Sequence, residues 1–135
     1  MRLWHKDLIP VLPRQQLLGQ WRECCCIARN IAINGTPNHI LVNKVMNYPL
    51  EHFFAYGLAV VHEMIRREYK CDWTKFAKYM SNHSSNLPKY DELFDDWHND
   101  RYLKQCYYNL QEKYDCGGIS WEEWREIVVK FESYI

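Results

Sequence analysis

No apolar run in this 135-residue chain approaches the roughly 20 residues that a membrane-spanning helix needs, so no transmembrane segment is expected. A positively charged leader with a hydrophobic core is also missing ahead of the first helical pattern, and the expectation is an intracellular protein with no membrane partner. No C-x-x-C pair occurs and the histidines are scattered, which removes the usual zinc spacings; neither a metal nor another cofactor is expected. The six cysteines give no disulfide framework. Cys24, Cys25 and Cys26 are consecutive, and Cys71, Cys106 and Cys116 show no paired spacing, so reduced thiols are the expectation. Convincing period-two alternation is absent, as are internal repeats and low-complexity linkers, which argues against sheets and tandem arrays.

Net charge is zero too, but the chain is divided. Residues 1 to 89 hold 12 Lys/Arg against 6 Asp/Glu, and residues 90 to 135 hold 5 against 11, so a dipolar molecule with one basic face is one outcome and intermixing on folding is the other. What is present is helical periodicity in a composition, 47% hydrophobic and 25% charged, that belongs to globular domains. The expected fold is all-α: a compact, single-domain helical bundle over residues 1–135 with an irregular N-terminal arm, and a monomer is the simplest expectation.

Residues 1 to 12 read as that arm, because Pro10 and Pro13 disfavour helix in the residues before them. From Pro13 a helix is predicted to about Asn30, with Leu17, Leu18, Trp21, Cys24, Cys25, Ala28 and Ile31 on its apolar side. Gln15, Gly19, Arg22, Cys26 and Arg29 lie opposite, and Glu23 stands outside the apolar stripe. Asn34-Gly35-Thr36-Pro37 is a turn by composition, followed by a short helix within 38–47. A central core helix is predicted from Pro49 to Tyr69, carrying Leu50, Phe53, Phe54, Gly57, Leu58, Val61, Met64 and Ile65. Shorter helical pieces are predicted at 72–81 and within 90–97, with a loop at 83–88. Asn99 or Asp100 caps a helix bearing Leu103, Cys106, Tyr107, Leu110 and Tyr114. Ser120 and Glu123 form a capping box for a last helix with Trp121, Trp124, Ile127, Val128 and Phe131 on one stripe. The stretch from Glu112 to Glu123 imitates a calcium loop, but Tyr114 and Cys116 stand where oxygen ligands belong, and the cap is the better reading.

The runs Met1-Arg2-Leu3-Trp4-His5, Leu12-Pro13-Arg14-Gln15-Gln16 and Leu17-Leu18-Gly19-Gln20-Trp21-Arg22-Glu23 resemble the pyrimidine-dimer DNA glycosylase family. Asp100 to Cys106 and Asn109 to Lys113 are similar to that family's C-terminal helix. The resemblance implies a helical enzyme whose partner is damaged double-stranded DNA. In such an enzyme the N-terminal α-amine attacks the sugar C1′, the base leaves, an imine forms, and β-elimination cuts the strand. It also implies catalytic roles for Met1, through its amine, and Glu23, with Arg22 holding a phosphate.

The residue types suit that chemistry. An α-amine ordinarily titrates at about 7.7–8.0, so part of it is a neutral nucleophile near pH 7. A neighbouring carboxylate stabilises positive charge growing on the sugar and relays protons. Arg22 offers a fork of N–H donors to phosphate, and Gln15 and Arg29 on the same stripe extend the contact; Arg2 and Lys113 complete the expected DNA-binding set. Two departures stand out. Arg2 is too bulky for routine methionine excision, which leaves the amine on Met1, and Cys26 and Gln16 replace an arginine and a histidine of the family pattern. Lys6 offers a substitute amine near the N-terminus, with a solvated lysine as the favoured expectation, while Trp4 and His5 are expected at the surface, where they can stack on exposed bases. A second function class stays open on the sequence: a non-catalytic helical module that binds DNA or protein on the same scaffold.

Overall fold

The structure, a computed structural model, describes residues 1–133. Five α-helices occur among those residues: α1 (Arg14–Asn34), α2 (Leu50–Arg66), α3 (Thr74–Tyr79), α4 (Asp100–Asp115) and α5 (Trp121–Glu132), with short 3-10 segments at Lys6–Val11, Asn43–Asn47, Ser81–His83 and Tyr90–Glu92. No strand occurs among the described residues, and none of their helices is long and apolar enough to cross a membrane. The arm is thus irregular only over its first five residues; from Lys6 it coils into six residues of 3-10 helix that accommodate Pro10.

Helix α1 runs four residues beyond Asn30, because nothing breaks it until Gly35. That glycine takes the left-handed conformation (φ 75°) and its N–H closes on the Ile31 carbonyl at 2.9 Å, a turn that a Cβ would strain. At the other end Pro13 offers no side-chain cap, and a carboxylate from the far end of the chain takes that place: Glu123 accepts the Arg14 N–H at 2.8 Å. The same Glu123 completes the capping box of α5 with Ser120, so one acid serves two positive helix termini.

The fully buried strip of α1 is not the expected one. Leu17, Gln20, Cys24, Ile27 and Ala28 are buried, whereas Leu18, Trp21 and Cys25 are half-buried against the rest of the core. The strip is rotated toward Gln20 and Ile27, and at Gln20 the arm covers it, its backbone bonded to the Gln20 amide. Trp21 packs on Phe76 of α3, ring centroids 5.4 Å apart.

Helix α2 is the central helix, ending at Arg66 rather than Tyr69, with Phe53, Phe54, Tyr56, Val60, Val61 and Met64 buried. Gly57 is demanded by contact: a Cβ there would lie 2.2 Å from Cζ of Phe76, whose ring is already enclosed by Phe53, Phe54 and Trp21. At the end of α2 the buried Glu63 accepts from Arg66 (2.9 Å) and Arg67 (2.6 Å), and Arg67 also reaches the Pro10 carbonyl at 3.1 Å. Burial pushes the Glu63 carboxyl up, but the two guanidiniums outweigh it and hold it below its usual range.

Helices α4 and α5 form a hairpin joined by Gly117, and its interior is aromatic: Tyr107 stacks on Phe131 at 3.8 Å, and Tyr114 stacks on Trp124 at 5.2 Å. Asn99 caps α4 by accepting from Tyr102 N–H at 2.9 Å. Trp121 departs from its expected core place and is exposed, with Arg125 over its ring. The hairpin packs through α5 against the Lys6–Val11 segment.

Candidate functional site

The arm is held almost atom by atom. The Arg2 N–H donates to Glu23 Oε2 at 3.3 Å, and the Arg2 carbonyl accepts from Gln20 Nε2 at 2.9 Å. The Trp4 N–H donates to Gln20 Oε1 at 2.7 Å. The Tyr56 hydroxyl stands 2.6 Å from the Trp4 carbonyl and 2.9 Å from Gln20 Oε1, its one proton shared between two acceptors. Tyr102 donates to the Leu3 carbonyl at 2.6 Å, the Lys6 N–H donates to His98 Nδ1 at 2.9 Å, and Tyr90 donates to the Lys6 carbonyl. A buried strand of backbone without secondary structure needs a partner for each polar group, and here side chains from α1, α2, α4 and the 90–98 segment supply them.

Gln20 is the centre of this network. Its Nε2 also donates to Glu23 Oε2 at 3.3 Å, so both amide hydrogens and both lone pairs are engaged. Glu23 is therefore fixed by two donors, one of them the peptide that joins Met1 to Arg2. Met1 itself is 39% exposed. The hydrogen bond to Glu23 is thus made one residue in from the terminus, by the Arg2 N–H.

Three expectations for the arm are corrected. Trp4 and His5 are not surface groups: they are 7% and 3% exposed, because the arm turns its side chains into the space between α1, α2 and α4. Lys6 is not solvated either; its ammonium donates to the carbonyls of Asp91 (3.1 Å) and Leu93 (2.6 Å), and burial, opposed by Asp7, Asp95 and Asp91, lowers its pKa. Those two bonds tie the arm to the 90–98 segment and engage the amine away from Glu23.

Behind the arm lies a layer of rings. His98 stacks with His5 at 5.1 Å and contacts Tyr56, Phe94, Trp97 and Tyr102. Burial drives the His98 imidazole down to about 2, with the nearby His5 and Lys6 adding to the effect. Burial also lowers His5, against the opposing charge of Asp7. Both rings are neutral at pH 7. Phe94 holds a left-handed backbone (φ 49°), a conformation that costs a bulky residue about 1–3 kcal/mol and is retained where surrounding structure enforces it. Its N–H donates to His52 Nδ1, and its carbonyl accepts from Trp97 and His98.

On the outer side of α1, Gln15, Arg22, Cys26 and Arg29 are exposed along one stripe. Arg22 folds back over Gly19, its Nη2 3.7 Å from where a Cβ of that residue would stand. Among the described residues no carboxylate forms an ion pair with Arg2, Arg22 or Arg29. Arg2 lies over the Trp4 ring, 5.3 Å from its centroid, at the edge of a cleft of about 490 Å³. The cleft runs between the arm, a turn bearing Leu41 and Lys44, and the face of α4 with Tyr102 and Asn109. The arm's hydrogen bond joins Arg2 to Glu23, Met1 and Arg22 are their neighbours in the chain, and Gln15, Arg22 and Arg29 share the exposed stripe of α1. Lys113 stands apart, about 16 Å along α4 from Tyr102, at 1.5 Å per residue, where α4 turns toward α5.

Gln20, Tyr56, His98 and Tyr102 escaped the sequence reading. Only Gln20 left a trace, three residues before Glu23 and so on the same side of a helix. A family model described as pyrimidine dimer DNA glycosylase matches residues 1–76, which takes in the arm, α1, α2 and the start of α3. No curated protein and no solved structure matches the chain.

Proposed function

The chain belongs to the pyrimidine dimer DNA glycosylase family, and from that premise we propose that it breaks the glycosidic bond of a damaged pyrimidine in duplex DNA and opens the resulting sugar through an imine at its own terminal amine. The observation that carries this reading is the Arg2 N–H to Glu23 hydrogen bond, which anchors the peptide after Met1 to a carboxylate in the part of the chain that the family model covers.

In this reading the neutral amine of Met1 forms a bond to C1′ as the glycosidic bond breaks, its electron pair leaving with the pyrimidine. Glu23 stabilises the positive charge developing on the sugar, then takes protons as the amine becomes an imine with opening of the sugar ring. Removal of a C2′ proton next expels the 3′ phosphate, and water finally returns the amine. Arg22, with Gln15 and Arg29 further along the stripe, grips the phosphates on either side, and Arg2 faces the strand from across the cleft. Gln20 supports the carboxylate without touching DNA, and Lys113 is left to an outlying phosphate contact.

Borohydride trapping on duplexes carrying either an abasic site or a cyclobutane dimer tests the reading. The expected result is a covalent adduct whose peptide map places the DNA on Met1, in a protein whose intact mass shows a free terminal amine. Glu23→Gln is expected to slow base release by about 10²–10⁴-fold, since the amide accepts the Arg2 N–H but moves no proton. Salt-dependent duplex binding without adduct or base release would replace this reading with a non-catalytic DNA-binding module.

A further inference from the structure

Among the described residues, three of the twelve large hydrophobic side chains that are exposed fall between α1 and α2: Ile40, Leu41 and Met46. Single exposed apolar residues are ordinary, but Ile40 and Leu41 are adjacent, 85% and 50% exposed, and occupy the apex of one turn. The turn is stiff. His39 N–H donates to Asn43 Oδ1 at 3.0 Å, the His39 carbonyl accepts from Val42 and Asn43, and the Leu41 N–H donates to the His39 ring at 3.3 Å. Val42 and Val45 root it in the core, and Asn30 of α1 holds the Pro37 carbonyl.

Its position and charge say what it meets. Ile40 and Leu41 line the same cleft as Arg2, the residue whose backbone N–H is bonded to Glu23. Arg2 and Lys44 are the charged residues that line this cleft and no carboxylate is among its lining, so a phosphate entering beside the tip meets positive charge. A rigid apolar point flanked by cations fits a base stack between two phosphate rails.

Resting on the function proposed above, we propose that Ile40 and Leu41 form a wedge that enters the base stack at the damaged step and holds the duplex kinked over Glu23. Opening a stacked step costs a few kcal/mol, and a lesion that already disturbs pairing lowers that cost, so the wedge favours damaged over intact DNA. Lys44 and Arg2 hold the flanking backbone while the side chains are inserted.

The test uses the Ile40→Ser/Leu41→Ser double variant, whose side chains are exposed and whose thermal midpoint should match the parent. Duplexes carry a single cyclobutane dimer, with 2-aminopurine beside it, or are intact. The parent protein is expected to raise 2-aminopurine fluorescence on the damaged duplex. The double variant should lose most of that rise and about tenfold of its preference for damaged over intact DNA, while its affinity for intact duplex and its salt dependence stay unchanged. Exchange to Ile40→Leu/Leu41→Ile should restore both. A double variant that keeps the fluorescence rise and the preference overturns the wedge. So does a dimer of the protein in solution that the double variant abolishes while DNA discrimination persists, since the tip would then cover a second copy. Borohydride trapping of the parent on the same DNA reports the imine chemistry separately: adduct with an unaffected double variant removes the wedge alone, and fluorescence without adduct removes the imine alone.

Discussion

The two ends of the chain meet on the Lys6–Val11 segment, yet they are fixed by different physics. The arm is held by directional hydrogen bonds between its backbone and side chains from distant elements, with sequence separations from 16 to 101 residues. The α4–α5 hairpin is held by stacked rings and apolar stripes, supplemented by caps at its helix starts. Ring packing tolerates small displacements because dispersion falls off gradually around its optimum, whereas each hydrogen bond fixes a distance and an angle. The end to which the proposed chemistry assigns a nucleophile and a carboxylate uses the second kind of contact, and the end that closes the core uses the first.

Truncating one group at each end sharpens this contrast. Trp124→Ala, which removes a ring stacked on Tyr114 and touching Tyr107, is expected to cost about 3–5 kcal/mol by urea unfolding. Base release per folded molecule should be unchanged. Gln20→Ala is expected to cost less, about 2–4 kcal/mol, from the orphaned Trp4 N–H and Arg2 carbonyl. Its turnover should nevertheless fall at least about tenfold in protein that is still folded, because Glu23 and the first peptide lose their common anchor. Equal losses of turnover per folded molecule in the two variants would abolish the distinction.

Acid distinguishes the ends in another way, since the buried imidazoles lie only behind the arm. Above about pH 6.5 His5 and His98 are neutral in both folded and unfolded chains, and the structure has its full stability. Below that, the unfolded chain takes up protons that the buried rings refuse. Stability then declines by up to about 1.4 kcal/mol per pH unit for each ring, a fall that for His98 continues toward its folded value of about 2. Glu63 acts in a lower window: its depressed pKa contributes stability above the ordinary carboxylate range and loses it as pH falls through the folded value. Urea midpoints measured from pH 7.5 to 5 should therefore drop, and His98→Asn, whose Oδ1 can still accept the Lys6 N–H, should flatten the slope by about one proton. An unaltered slope would place the acid sensitivity elsewhere.

The same division explains what could be read in advance. Leu103, Cys106 and Leu110 on α4, and Trp124, Ile127 and Phe131 on α5, are buried as their spacing predicts, because helical periodicity is a local property of the sequence. The motif resemblance is what points to Glu23, Arg22 and the terminal residue. Gln20, Tyr56, His98 and Tyr102 were not readable, since a polar residue inside an apolar pattern announces no partner across dozens of residues. Lys6, Trp4 and His5 were misplaced for the same cause: an irregular arm has no period to reveal its inner side.

The smallest expected effect examines whether the hairpin is as separate from the chemistry as its packing suggests. Ser120→Ala removes the hydroxyl that accepts the Glu123 N–H at 3.1 Å, at a cost of about 1 kcal/mol. Glu123 retains its bond to the Arg14 N–H, so the first turn of α1 keeps its acceptor and base release should be unchanged once corrected for the folded fraction. Glu123→Ala removes both links and should add the loss at α1 to the loss at α5. Because Gln20 and Glu23 lie about 1.7 and 2.5 turns from Arg14, at 3.6 residues per turn, a frayed first turn leaves their network standing. Turnover that falls with Glu123→Ala beyond the unfolded fraction would show that the hairpin sets the position of the carboxylate through α1.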